Sequence, residues 1–360
     1  MKSLSFLKEL MKVDSSNSEG ANYLIDYAAA YLETHEIKGD IIENNGYKSY
    51  VSVLGSGDYT LVLNGHLDVV SGKPRQFEPR EEDGRLYGRG SADMKSGCAA
   101  MIHAFIKLKD MNPQCRVMLQ LVTDEEIGGV NCSKYLAESG YVGDFVICTE
   151  PTQMLPSIQS KGMIKLDIEV RGIAAHGSRP WEGNNAIVNA YRDYDAIRAL
   201  PILSEGSEFY DCSTVNLALI KGGDIYNRVP DSCVMGLDIR YVPHVDPMEI
   251  IKAIKSVISG EATLISLEPG VLVKPDNPYI TELVSCLKDT MPNHPVKIVG
   301  QHGGSDARFF AARGIPAIEL GPSGDFWHGD GEYVEIQSVR DLETILVDFA
   351  MRFASIEKRG

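Results

Sequence analysis

The sequence predicts an α/β fold, in which a discontinuous domain with a mainly parallel sheet and helices on both faces carries an inserted, smaller ferredoxin-like α+β domain. The 360 residues exceed what one ordinary core accommodates and suit two domains. In the first part of the chain, short β-branched runs alternate with helical patterns, which is typical of a parallel sheet covered by helices. The order of strands and helices changes after residue 161 and returns to α/β character after residue 270.

The first predicted domain takes residues 1–161 and 271–360. It begins with an amphipathic helix rather than a signal peptide, because Lys8, Glu9 and Lys12 interrupt the apolar residues at helical spacing. Strands are predicted at 50–55, 60–69, 116–125 and 144–150, with a helix over SGCAAMIHAFIKLKDM and, later, helices over NPYITELVSCLKDTM and SVRDLETILVDFAMRFASI. Each of these four strands ends in a polar cluster, and open α/β sheets bind ligands at the carboxyl ends of their strands.

The second predicted domain takes residues 162–270. MIKLDIEVRG alternates as a strand, NNAIVNAYRDYDAIRAL is helical, and STVNLALIKGG and SCVMGLDIRYV are two further strands. DPMEIIKAIKSVI is a second helix and ATLISLE a last strand. This β-α-β-β-α-β order is the split βαβ arrangement of a ferredoxin-like domain.

Composition excludes several classes of partner. The net charge of -15 repels nucleic acid and anionic lipid, and no apolar run reaches the roughly 20 residues that a bilayer span requires. The seven cysteines contain no Cys-x-x-Cys pair, which favours a reducing compartment and no thiolate metal site. We therefore expect a cytoplasmic protein that binds neither nucleic acid nor membranes.

Five segments place histidines and carboxylates after apolar runs or in glycine-rich turns: HLD at 66–68, GRGSADMK at 88–95, DEE at 124–126, TEP at 149–151 and WHG at 327–329. Imidazole and carboxylate without thiolate is a ligand set for zinc, cobalt or manganese, and one carboxylate shared by two ions would build a two-metal centre. Each segment alone has a simpler interpretation, such as a helix N-cap for Asp93 or a solvated helix start for Glu125 and Glu126. Together, in this order, they favour the metal centre.

These segments resemble the dinuclear zinc deacylases and exopeptidases, a family that includes succinyl-diaminopimelate desuccinylase, acetylornithine deacetylase, aminoacylase and glutamate carboxypeptidase. The resemblance spans nearly the whole chain. It rests on NGHLDVV, GRLYGRGSADMKSG, TDEEIGG, TEP, GIAAHGSRPWEGNNAI, NRVPDSCVMGLDIRY, GGSDARFFAARGIPAIELGP and WHGDGEYV. It implies that residues 1–161 and 271–360 form a catalytic metal-binding domain and that 162–270 form a lid that also makes a homodimer.

The resemblance also implies the roles of individual residues. Asp93 would bridge two divalent metal ions, zinc before cobalt or manganese. His66 and Glu150 would complete one metal site, and Glu126 and His328 the other. Asp68 would orient His66, Glu125 would be the general acid and base, and the peptide Asp93–Met94 would be cis.

Three residues of the lid would approach the substrate. His176 would stabilise the oxyanion, often from the partner subunit, and Asn227 and Arg240 would hold the substrate. Arg240 suits an α-carboxylate because its guanidinium is a planar fork. Simpler interpretations are a loop histidine, a turn asparagine and an ordinary strand salt bridge. Lys161, Ser305, Asp306 and Arg308 are further candidates near the pocket.

The predicted activity is removal of an acyl group from an N-acyl amino acid, of the acetylornithine deacetylase or succinyl-diaminopimelate desuccinylase type. A metallo-exopeptidase that cuts a dipeptide or a C-terminal residue is the alternative, with a short peptide as substrate. Two features favour deacylation. One is Glu150, at a position where many aminopeptidase and dipeptidase relatives carry Asp, and the other is the segment SDARFF. A degenerate member that only binds its ligand is disfavoured, because the five metal ligands, Glu125 and His176 are all present.

Overall fold

A computed structural model describes residues 2–356, and within them the chain divides into two units. The first unit takes the residues up to 158, residues 273–299 and those from 305 onward; the second takes residues 159–272 and 300–304. Residue 1 and residues 357–360, which belong to the first predicted domain, lie outside the described residues. The role of the second unit as a lid and dimerisation domain stays a prediction.

Seventeen strands and nine α-helices lie within residues 2–356. The strands are β1 (Asp40–Asn44), β2 (Tyr47–Gly55), β3 (Thr60–His66), β4 (Arg80–Glu82), β5 (Arg85–Tyr87), β6 (Arg116–Val122), β7 (Phe145–Cys148), β8 (Ser157–Ser160), β9 (Gly162–Arg171), β10 (Thr214–Gly222), β11 (Ser232–Tyr241), β12 (Glu261–Glu268), β13 (Val271–Leu272), β14 (Val299–Gln301), β15 (Ala317–Glu319), β16 (Gly324–Asp325) and β17 (Tyr333–Glu335). The helices are α1 (Lys2–Met11), α2 (Ser18–Thr34), α3 (Lys95–Met111), α4 (Ser133–Glu138), α5 (Ala186–Arg198), α6 (Pro247–Val257), α7 (Pro278–Thr290), α8 (Ala307–Ala311) and α9 (Ile336–Ile356).

The sheet of the first unit has the strand order β1-β2-β6-β3-β7-β15-β8. Its four central strands, β6, β3, β7 and β15, run parallel to one another, whereas β1, β2 and β8 pair antiparallel at the flanks. Every residue of β3 is buried, as expected for a parallel strand covered on both faces. The predicted α/β fold with a mainly parallel central sheet is confirmed.

Three of the predicted strands extend too far at their carboxyl ends. β3 ends at His66 instead of residue 69, β6 at Val122 instead of residue 125, and β7 at Cys148 instead of residue 150. Asp68, Glu125 and Glu150 therefore follow the strands instead of forming their last residues. The predicted N-terminal helix and the helix that follows residue 95 are confirmed as α1 and α3.

Helix α3 is largely buried, with 12 of its 17 residues inside the protein. It packs against β3 and β6, and α1 and α9 pack on it in turn. Gly97 in its first turn allows this approach, because a Cβ atom there would collide with the backbone carbonyl oxygen of Thr149, just beyond β7. The close contact brings the start of α3 to the carboxyl end of β7.

A small second sheet in the first unit has the order β16-β17-β5-β4 and was not predicted. β17 pairs antiparallel with β5, with Val334 opposite Leu86 and Tyr333 opposite Tyr87. The loop that follows β5 therefore lies beside the loop that precedes β17. These are the loops that contain Asp93 and His328.

The second unit contains β9, α5, β10, β11, α6 and β12 in the predicted β-α-β-β-α-β order. Its sheet has the order β10-β11-β9-β12, and all three pairings are antiparallel. Alternate residues of β9, beginning with Ile164 and Leu166, are buried with the apolar face of α6. This arrangement is the split βαβ topology that the sequence predicts.

Residues 2–356 contain neither a membrane-spanning helix nor a disulfide. Among the described helices, each is too short or too polar to cross a bilayer. All seven cysteines lie within the described residues and are free, and six of them are buried.

We expect Gly97→Ala to destabilise the first unit. Alanine favours a helix by about 1 kcal/mol over glycine, but forcing a methyl group into a packed core costs about 1–3 kcal/mol, and here the colliding atom is backbone. Thermal melting should show a lower Tm for this variant. Gly303→Ala is the control, because a Cβ atom there meets nothing within 4 Å. Equal melting temperatures for the two variants would contradict the close packing of α3.

Candidate metal centre

Five side chains form two overlapping groups at the carboxyl edge of the parallel strands. His66, Asp93 and Glu150 make one group, and Asp93, Glu126 and His328 make the other, with the ligand atoms of each group within 4.8 Å of one another. Asp93 belongs to both: its Oδ1 lies 3.3 Å from His66 Nε2 and its Oδ2 lies 3.2 Å from His328 Nε2. The two oxygens of one carboxylate thus face two different imidazoles.

The parallel sheet positions three of these side chains. His66 is the last residue of β3, and Glu150 follows the end of β7 by two residues. Glu126 lies in a 3₁₀ turn, Glu125–Ile127, shortly after β6. Because β6, β3 and β7 are parallel neighbours, their carboxyl ends share one edge, and the side chains that follow them meet there.

Asp93 and His328 come from loops outside this sheet. The loop from β5 to α3 contains Gly90 with φ +76°, a conformation that L side chains rarely adopt, and a Cβ atom at Gly90 would crowd Val69 and Lys95. The peptide Asp93–Met94 is cis, as predicted. His328 lies in the connection from β16 to β17, and its side chain is about half exposed, at 52%.

Asp68 contacts both halves of the site. His66 Nδ1 lies 3.0 Å from the backbone oxygen of Asp68 and 3.5 Å from its carboxylate Oδ1. The other carboxylate oxygen accepts a hydrogen bond from the backbone N–H of Glu126 at 3.0 Å. The structure therefore gives Asp68 contacts with the His66 ring and with the turn that carries Glu126.

Carboxyl groups are crowded at this edge. Burial raises the pKa of Glu126 to about 7 and holds the pKa of Glu150 well above its usual range, in both cases with Asp93 and Glu125 adding to the rise. Burial also opposes the ionisation of Asp93, but hydrogen bonds from His328 and His66 outweigh it and keep its pKa low. The hydrogen bond to Asp93 raises the pKa of His328 to about 9.

This donor set fits two divalent cations. Oε1 of Glu126 and Oδ1 of Asp68 are buried without a hydrogen-bond partner, which is unusual for carboxylate oxygens. Buried carboxylates repel one another unless protons or cations relieve them, and imidazole and carboxylate ligands suit zinc, cobalt or manganese. His66, Asp93 and Glu150 can hold one cation, and Asp93, Glu126 and His328 the other.

Glu125 lies outside both groups of candidate ligands among the described residues. Its Oε1 is 3.6 Å from Nη1 of Arg308, a buried guanidinium that also donates to the backbone oxygen of Gly128 at 2.8 Å. Burial raises the pKa of Glu125, and the charges of His66 and Arg308 oppose that rise. A carboxyl group that faces the site without belonging to a ligand group is suited to proton transfer.

The other candidates from the segment SDARFF point into the protein. Ser305 donates to Glu319 at 2.6 Å, and Ser133 donates to the carboxylate of Asp306 at 2.5 Å. Both acceptors are buried carboxyls. These two side chains join a buried polar network, and Arg308 is the member of this segment that contacts a predicted site residue.

Sequence reasoning missed a buried ion pair beside Asp93. Arg89 Nη1 donates to Glu332 Oε2 at 2.6 Å, with 3% and 1% of the two side chains exposed. Both residues lie in segments that carry the resemblance, GRLYGRGSADMKSG and WHGDGEYV. An arginine between two glycines and a glutamate after a glycine-rich turn were the signals available, but no spacing rule links them.

The three lid candidates lie in the second unit. His176 is exposed, with Nδ1 2.8 Å from the hydroxyl of Ser178, and the exposed Asn227 accepts a backbone hydrogen bond from Gly177 at 2.7 Å. Arg240 makes a two-point ion pair with Asp238, Nε to Oδ1 at 2.7 Å and Nη2 to Oδ2 at 3.1 Å.

Lys161 also lies in this unit, where it donates to the backbone oxygen of Cys212 at 2.7 Å. The contacts of these four residues with substrate stay predictions.

Comparison with known proteins identifies the family. The model of peptidase family M20/M25/M40 matches residues 62–352. An acetylornithine deacetylase from Myxococcus xanthus is 28% identical over 377 residues, covering 96% of both chains. A succinyl-diaminopimelate desuccinylase from Beijerinckia indica is 30% identical over 317 residues, covering 81% of this chain and 82% of its own.

The fold agrees with this match. The crystal structure of aminopeptidase PepT from Bacillus cereus superposes with a TM-score of 0.81 at 20% identity, covering 98% of both chains. The family model spans most of the sequence and includes all five residues of the two ligand groups. The chain therefore belongs to peptidase family M20/M25/M40, a family of dinuclear metal-dependent hydrolases.

Proposed function

We propose that this chain is a zinc-dependent amidohydrolase that removes an acyl group from an N-acyl amino acid. The observation that carries the proposal is the position of Asp93, whose two carboxylate oxygens face two separate imidazole and carboxylate groups. The names of the two relatives, a deacetylase and a desuccinylase, support deacylation. Solved structures at or below 21% identity carry peptidase names, but at that distance they support the fold alone.

In this proposal Asp93 would serve both cations, His66 and Glu150 would hold one of them, and Glu126 and His328 would hold the other. Zinc is the cation that we favour over cobalt or manganese, since each group combines imidazole with carboxylate. Bound divalent cations supply Lewis acidity, which lowers the pKa of water and polarises a carbonyl group. Asp68 fixes the His66 ring and, through the Glu126 backbone, the turn beside it.

Glu125 moves the proton. It takes a proton from the attacking water and returns it to the leaving nitrogen, so one carboxylate serves as base and then as acid. Arg308 holds one oxygen of Glu125 and limits its rotation. Glu125 is next to the candidate ligand Glu126 in sequence but lies outside the ligand groups, which supports its role in proton transfer.

The second unit recognises the substrate in this proposal. His176 stabilises the developing oxyanion. Asn227 holds the substrate, and Arg240 exchanges its ion pair with Asp238 for one with the α-carboxylate. We further propose a cytoplasmic homodimer formed through this unit, with a small N-acyl amino acid as partner rather than a membrane or a nucleic acid. The net charge of -15 supports the last point.

Replacing Glu125 should separate chemistry from metal binding. We expect Glu125→Ala and Glu125→Gln to lower kcat by about 10²–10⁴-fold, because general acid–base catalysis supplies a factor of that size, with two metals per chain retained. Steady-state kinetics and metal analysis of the purified variants test this. Glu126→Ala is the matched control, since the neighbouring carboxylate should lose metal as well as activity. A Glu125 variant that keeps more than a few per cent of turnover would refute the assignment.

Metal content and substrate class can be tested together. We expect about two divalent cations per chain, loss of activity with a chelator, and recovery with zinc or cobalt. A panel of N-acetylornithine, N-succinyl-diaminopimelate, other N-acyl amino acids and simple dipeptides should then show hydrolysis of an N-acyl compound. Activity confined to dipeptides would select the exopeptidase alternative, and a chain that binds no metal would contradict both.

Arg240→Lys tests the proposed carboxylate clamp. Lysine keeps the charge but loses the fork, so we expect KM to rise about tenfold, the loss of roughly one charge-assisted hydrogen bond, with a smaller change in kcat. Arg171→Lys, at an exposed ion pair with Glu169 in the same sheet, is the control and should leave KM unchanged. An unchanged KM for Arg240→Lys would contradict the clamp and would mean that Arg240 only forms the ion pair with Asp238 within the sheet.

A further inference from the structure

Glu332 lies at the junction of the two loops that carry Asp93 and His328. Its side chain is buried, with 2% of the residue exposed, immediately before β17. Each of its two carboxylate oxygens accepts two hydrogen bonds. Oε2 receives Arg89 Nη1 at 2.6 Å and the N–H of Gly90 at 3.1 Å, and Oε1 receives the N–H groups of Ala92 at 3.0 Å and Asp93 at 3.1 Å.

The carboxylate therefore binds the Asp93 loop along most of its length. The backbone of Glu332 adds a further link, because its carbonyl oxygen accepts the N–H of Gly88 at 3.0 Å. His328 precedes Glu332 by four residues, in the connection between the antiparallel strands β16 and β17. One buried side chain thus fixes the backbone of Asp93 relative to the loop of His328.

We propose that Glu332 is a positioning residue of the metal centre: by accepting four hydrogen bonds it holds Asp93 beside His328, so that the Asp93 carboxylate can belong to both ligand groups. This inference rests on the proposed metal-dependent function. Glu332 is itself no ligand, since it belongs to neither candidate ligand group of the described residues and its oxygens are occupied by donors. It acts through Asp93, whose Oδ2 lies 3.2 Å from His328 Nε2.

Only a carboxylate satisfies this arrangement. All four groups that contact Glu332 are donors, so an amide at this position would turn its NH₂ group towards two of them. It would also leave the buried guanidinium of Arg89 without its counter-charge. The second effect can be removed separately by replacing Arg89, which makes the two roles of Glu332 distinguishable.

The test compares Glu332→Gln, Arg89→Met, the double variant and Glu343→Gln. Glu343 is the control, because it is also a largely buried carboxylate with a cationic partner, Lys107 at 2.8 Å, but lies in α9. Each full-length protein is stripped with a chelator, its Tm is measured without metal, and Zn²⁺ is titrated against a competing chelator. The kcat of the zinc-loaded proteins is measured as well.

We expect Glu332→Gln to bind Zn²⁺ about 10–100-fold more weakly, the usual effect of losing a group that supports a metal ligand. The double variant should have a higher Tm than Glu332→Gln but an equally weak affinity for Zn²⁺. Glu343→Gln should have a lower Tm than wild type, with a Zn²⁺ affinity within about twofold of wild type. Wild-type Zn²⁺ affinity in Glu332→Gln or in the double variant would overturn this inference and leave the proposed function intact. A wild-type chain that binds fewer than two Zn²⁺ ions would overturn the proposed function and this inference with it.

Discussion

Repulsion among buried carboxylates is the constraint on which this structure depends. Asp93, Glu126 and Glu150 lie with two imidazoles in groups whose ligand atoms are within 4.8 Å, and Asp68 and Glu125 border them. Bringing such groups together out of water is unfavourable unless a proton, a hydrogen bond or a cation neutralises each charge. Burial is the main cause of the raised pKa values of Glu126 and Glu150, and repulsion by Asp93 and Glu125 adds to it, whereas the low pKa of Asp93 shows that its two histidines already favour its charge. Cation binding would relieve the repulsion and so stabilise the fold that imposes it.

The scaffold holds this arrangement by contacts away from the site. The parallel neighbours β3, β6 and β7 bring their carboxyl ends to one edge, which needs only the regular ladder of the sheet. The approach of α3 to Thr149 needs the absence of a side chain at Gly97. The pairing of β5 with β17 joins the remaining two loops. Each of these features is ordinary packing, and the unfavourable electrostatic interactions are confined to the side chains that these elements surround.

The sequence predicted what local pattern and strand direction determine. The parallel sheet, the α3 helix and the β-α-β-β-α-β order of the second unit follow from hydrophobic periodicity, and they are confirmed. The strand ends were placed two or three residues too late, because periodicity cannot show where polar residues leave a ladder. The β5–β17 pairing and the Arg89–Glu332 ion pair were missed, because residues more than 240 positions apart meet only through the complete fold. The geometry of the ligand groups agrees with positions that the resemblance implied, although composition and spacing alone left an N-cap or a solvated helix start open.

The different roles proposed for two adjacent glutamates follow from the shape of the turn that contains them. Glu125 and Glu126 begin a 3₁₀ turn, in which three residues complete one revolution, so neighbouring side chains point about 120° apart. Glu126 consequently reaches His328, at 3.3 Å, while Glu125 reaches Arg308, at 3.6 Å. A β-strand would have sent the pair to opposite faces of the sheet. The 3₁₀ turn instead keeps both carboxylates near one cluster, one in contact with a candidate ligand and the other outside the ligand groups, as the proposed role of Glu125 in proton transfer requires.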